Sequence, residues 1–193
     1  MKKNWLEPAL IAFVLFSIGL QYFRIEMAER LVVLSCTALA LYYLLSGALV
    51  LFNKQVTRSM RMLYFFGLWS ISVGLIGVIY TFRFWPNGRN LLMLGFSFGT
   101  AVMMILLLYR LMVKKNDPSI RRQLAPLYTR LLIYPVIFLV LQLTPFDWLF
   151  YSFNKYRDYE KYREVLKKTI EKPADTLLQK KLIRMEKKLE NDH

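Results

Sequence analysis

Two uncharged runs stand back to back in this chain and limit what it can fold into. Residues 62–82 carry no charged side chain, and neither do residues 91–109. A helix needs roughly 20 apolar residues, at about 1.5 Å each, to cross the hydrocarbon core of a bilayer. Both runs meet that length. The segment between them holds Pro86-Asn87-Gly88, turn chemistry that stops a helix. The pair reads as a transmembrane helical hairpin, and the chain as an all-α, polytopic integral membrane bundle.

The hairpin's spans are expected over 62–82 and 91–113, and further spans on either side over residues 8–23, 31–53 and 131–153, making four with the hairpin and a fifth at 131–153. The expected domains are a helical membrane domain over 1–153 and a charged helical tail over 154–193. The first span is short, and the last is interrupted by Pro135 and Pro145 and followed at Pro145 by Phe146 and Asp147. That last segment reads either as a kinked crossing or as a re-entrant segment folding back at Thr144-Pro145. The turns at 24–30 and 83–89 echo one another, each framed by two arginines, and suggest two parallel hairpins.

The formal net charge is +14, but 56% of residues are hydrophobic and the charges gather in loops and in the tail. That segregation points to basic loops against anionic lipid headgroups, not to nucleic acid. Lys54, Arg58 and Arg61 form one basic loop. Lys114, Lys115, Arg121 and Arg122, with Arg130 counted alongside, form another, and the four lysines and arginines from 114 to 122 are the candidate headgroup contacts. By the positive-inside rule these loops and the N-terminus face the cytoplasm of a bacterial inner membrane. The tail, with twelve basic and eight acidic residues, is expected on the same side through the fold-back.

Residue chemistry excludes several function classes. Cys36 is the only cysteine and His193 the only histidine. Disulfide staples, cysteine metal sites, paired-histidine haem or zinc ligation and ordinary histidine acid–base catalysis are therefore ruled out. No nucleophile–base pair or phosphate loop stands in the sequence, so no catalytic residue, metal or cofactor is assigned.

What the spans do carry is a stripe of small residues. Gly67, Ser70, Gly74 and Gly77 fall on one helical face, and Gly95 and Gly99 make a GxxxG pair on the next helix. Such faces let backbones approach closely in lipid, where water does not drive helices together. Tyr42 and Tyr43 sit mid-span, and a buried phenol wants a partner, with Ser35, Ser46 or Ser70 as candidates. In the tail, Leu178, Leu182, Met185 and Leu189 form a stripe suited to docking a partner, behind an Asp175 cap.

A basic loop ahead of an aromatic-rich span (Arg58 and Arg61, then Leu63 through Trp69) resembles the multi-span input regions of bacterial sensor kinases, although no kinase module follows. The expected function is non-enzymatic: a membrane accessory, scaffolding or regulatory subunit, partnered by another protein or by copies of itself. A small transporter or channel component is the alternative, and a membrane sensor input is the third reading.

Overall fold

The computed structural model describes residues 5–23, 25, 27–53, 56–112, 118–156 and 158–191. All regular elements among them are α-helices: α1 Leu6–Tyr22, α2 Ala28–Phe52, α3 Arg58–Phe82, α4 Gly88–Met112, α5 Pro118–Leu143, α6 Phe146–Phe153, α7 Glu160–Glu171 and α8 Thr176–Asn191. The chain is an all-α helical bundle. α3 is its axis, packed along α2 and α4 and touching α5, while α1 leans on α2. Large apolar side chains such as Leu45, Leu49 and Leu108 are exposed on the outside, whereas Ser35, Ser70 and Tyr43 are buried. Helices apolar on their outer faces belong in lipid.

Four helices are long and apolar enough to cross a membrane: Ala28–Phe52, Arg58–Phe82, Gly88–Tyr109 and Leu124–Leu143. This set differs from the expected one at both ends of the bundle. α1 has 17 residues, about 25 Å of helix, which is short of a core roughly 30 Å thick. The last crossing, Leu124–Leu143, overlaps the expected 131–153 but is shifted toward the N-terminus. α5 carries Pro126 and Pro135 in its interior. Proline costs about 3 kcal/mol inside a helix in water, but neighbouring helices offset that cost in a membrane bundle. Here Pro135 is buried over Gly99.

The fold-back at Thr144-Pro145 does not occur. α5 runs the length of the bundle, and Arg89, at the 83–89 turn, donates to the Thr144 carbonyl (3.0 Å). Pro145 has extended backbone and α6 begins at once, lying across the end of the bundle. Phe153 packs on Tyr22 and Phe82, and Phe84 on Phe146 and Phe150. The tail therefore sits at the end that carries the 83–89 turn. Glu7, near the N-terminus, is at the opposite end, paired with Arg130. The cytoplasmic tail expected from the sequence rested on a reversal that the chain does not make. The two expected hairpin turns do share one end, where Arg83 and Glu29 form an ion pair.

Candidate functional site

The small-residue stripe divides between two seams. A methyl group added at Gly95 would lie 2.6 Å from Gly74 Cα, and one at Gly77 would lie 2.7 Å from the Leu92 nitrogen. At both points backbone meets backbone, so α3 and α4 touch without intervening side chains. A methyl at Gly74 would also run into the ring of Phe138 on α5. Gly67 and Gly99 serve α5 instead, seating Leu127 and Pro135 respectively. Ser70 is buried beside them and donates to the Gly67 carbonyl of its own helix (2.7 Å). All six residues are used within the chain. On the other side of α3, Ser72 donates to the Ala40 carbonyl of α2 (3.0 Å).

A second arrangement was not legible in the sequence. Glu7 of α1 accepts from the Tyr43 hydroxyl of α2 (2.8 Å) and from Arg130 Nε of α5 (2.6 Å), with a further charged contact from an Arg130 Nη. The Tyr43 hydroxyl also meets that of Tyr134 at 2.8 Å. The Arg130 guanidinium lies over the Tyr43 ring, 5.7 Å from its centre, a favourable placement for a cation on an aromatic face. Tyr43 thus finds its partners in Glu7 and Tyr134, not in a serine. Arg130, counted above with the basic loop, stands inside the Leu124–Leu143 crossing, its side chain about a fifth exposed. The available signal was one arginine in an otherwise uncharged run, four residues before a tyrosine. An acid in the first turn of an apolar helix completes it.

This cluster closes one end of a cavity of about 520 Å³ between α1 and α5, floored by residues of α2 and α3 such as Leu39 and Leu75. Its walls are otherwise apolar apart from Thr129, which adjoins Arg130.

At the opposite end, α6, α7 and α8 form a cap with its own apolar core around Phe84, Phe150, Tyr162 and Leu166. Phe84 has φ 54°. It occupies the left-handed position of a helix-ending motif in which Phe84 and Trp85 N–H groups bond the Thr81 and Tyr80 carbonyls. Glycine is usual there. The phenylalanine accepts backbone strain on the order of 1 kcal/mol, and its ring helps to join the cap to the bundle, beside the contacts of Phe153. Tyr162 donates to Glu186 (2.9 Å) between α7 and α8, and burial, then Glu186, raises its phenol above the ordinary range. Arg163 bonds the Tyr151 hydroxyl (2.6 Å) and approaches Asp147 (3.5 Å).

The tail stripe turns inward. Leu189 is buried, and Leu182 and Met185 are half-buried against the cap core; Leu178 is also half-buried. Asp175 accepts from the N–H groups of Leu177 and Leu178 (3.0 and 3.2 Å), the expected helix cap. The outward face of α8 is instead Leu177, Lys180, Lys181, Arg184 and Lys188, all exposed. Of the headgroup candidates, Lys114 and Lys115 lie outside the described residues. Arg121 and Arg122 fall in the first turns of α5, with side chains outside the described set. Compared with known proteins, the chain matches no family model, no curated protein and no solved structure.

Proposed function

We propose that this protein is a non-enzymatic accessory or regulatory subunit of the bacterial inner membrane, anchored by the bundle and engaging a partner protein through its cap. The observation that supports this reading is the outward face of α8. Leu177, Lys180, Lys181, Arg184 and Lys188 recur at helical spacing without an acid among them. Meanwhile Glu186 is taken up by Tyr162. A basic face on a rigid mount suits an acidic protein surface, with charge governing encounter and choice of partner. In the orientation we adopt, the basic loops at 54–61 and 114–122 are cytoplasmic, because the positive-inside rule is strongest for short loops. With α5 crossing, the cap then lies on the outer side.

Charge reversal at Lys180, Lys181, Arg184 and Lys188 tests the reading. Tagged wild type and variant are purified in mild detergent and compared by quantitative mass spectrometry. A membrane protein with an acidic outer domain is expected with the wild type and lost from the variant, at unchanged yield. Identical co-purifying sets would refute the docking face. Outside labelling of a cysteine at Lys187 by an impermeant maleimide, in a Cys36→Ser background, checks the orientation; labelling only after permeabilisation would reverse it.

The transporter reading has one observation in its favour, the ion pair inside the bundle, since intramembrane charges are often functional. Substrate flux in proteoliposomes that is abolished by Arg130→Gln would favour it over the accessory role.

A further inference from the structure

The gap between α1 and α5 is an unusual seam, because α1, packed on α2 along its other side, is here fastened at both ends and open between them. At one end Glu7 holds Arg130. At the other, Gln21 Nε2 donates to the Phe153 carbonyl (3.4 Å). Between these fastenings, Ile11, Leu15 and Ile18 of α1 face Ile133, Ile137 and Leu141 of α5 across the cavity of about 520 Å³. We propose that this slot holds one acyl chain of a bilayer phospholipid, its phosphate at Arg130.

Length suits the occupant. Glu7 to Ile18 and Arg130 to Leu141 each span eleven residues of helix, about 16 Å at ~1.5 Å per residue. One leaflet of a bilayer has hydrocarbon about 15 Å deep, half of a core roughly 30 Å thick, so the slot is about one acyl chain long. An extended hydrocarbon chain lying along the two helices fits that length. Water does not fill such a slot, since apolar cavities stay dry, and an empty one would deprive both walls of contacts. In a bilayer, lipid chains are what surround it.

Polarity orients the occupant. Glu7, Thr129, Arg130 and Tyr134 cluster at the cavity's single polar end, and the remaining lining is apolar. Among the described residues, Arg130 spends Nε and one Nη on Glu7. Its other Nη group is left to bond a phosphate oxygen, with the guanidinium held in place by the carboxylate. Because Glu7 already balances the charge of Arg130, recognition comes from a directed hydrogen bond and not from net charge. Zwitterionic and anionic glycerophospholipids are therefore expected to bind alike.

The test uses the full chain in vesicles of phosphatidylethanolamine carrying a photoreactive diazirine either near the carboxyl end or at the tip of one acyl chain. Peptide mapping should place the carboxyl-end label near Ile133 and the tip label near Ile18 and Leu141. Native mass spectrometry should find one phospholipid retained in mild detergent. Ile137→Trp fills the slot and should abolish both signals; Leu15→Trp, from the opposite wall, does the same should the first variant fail to fold. Labels in the reverse order, labelling no stronger than at Leu45 and Leu108 on the outer faces, or lipid retained by both variants would overturn the proposal. So would photocrosslinking at Ile137 to a second protein.

Discussion

The seam between α3 and α4 and the seam between α1 and α5 solve one problem in opposite ways. Lipid gives helices no hydrophobic reason to associate, so contact must come from packing or from polar bonds. At α3–α4, Gly74, Gly77 and Gly95 remove side chains and let backbone meet backbone. At α1–α5, a cavity lined by residues such as Leu15 and Ile137 separates the helices, and the join is made by a carboxylate, a guanidinium and two phenols. One seam is specified by what is missing from the sequence, the other by charges placed more than a hundred residues apart.

The largest effect that separates them should come from Arg130→Met. It leaves Glu7 without its main partner in a half-enclosed site, where breaking an ion pair costs about 3–5 kcal/mol. Chemical unfolding in detergent should show that loss, while cross-links between cysteines on α3 and α4 persist. Gly95→Val attacks the closed seam. It should cost about 1–3 kcal/mol by overpacking, because Gly74 Cα cannot move aside as a side-chain tip would. A lower melting temperature in detergent is the readout.

Tyr43→Phe removes only the hydroxyl that links Glu7 to Tyr134. About 1 kcal/mol is expected from the lost hydrogen bonding, measured in the same unfolding assay. The smallest effect should be Ile137→Leu in the open seam, within about 0.5 kcal/mol. A large cost there would show that the α1–α5 seam is closed by packing after all.

The cap offers a third kind of join, one exposed to water and so to pH. Tyr162 has its phenol raised by burial and by Glu186. Its contribution is complete below the ordinary tyrosine value of about 10. It is lost as pH climbs above that, because the unfolded form ionises first. The cap should loosen in alkali, read as faster thiol labelling of a cysteine at Val165, and Tyr162→Phe should remove that dependence.

How far each seam could be read from the sequence follows from the same contrast. Small residues are periodic within each of α3 and α4, so Gly74, Gly77 and Gly95 were legible, although the share of Gly67 and Gly99 in seating α5 was not. The Glu7–Arg130 pair has no local period. Arg130 looked like one more loop charge because the expected span begins after it, at Leu131, whereas α5 begins at Pro118 and carries Pro126 and Pro135 inside. The stripe Leu178, Leu182, Met185 and Leu189 was legible as an apolar face. Its partner, α7 and the aromatic core around Phe84, depended on α5 crossing the bundle, which the prolines concealed.

The central claim is that α1, which packs on α2, is joined to α5 and α6 by polar fastenings at its ends and not by packing along the α1–α5 seam. Spin labels at Leu15 and Val136, in a Cys36→Ser background in nanodiscs, report the width of the α1–α5 gap by pulsed electron resonance. A narrow distance distribution is expected in the otherwise wild-type chain. In Glu7→Ala it should broaden and lengthen, with a label pair across α3 and α4 unchanged. A distribution that stays narrow at the same distance in Glu7→Ala would contradict the account.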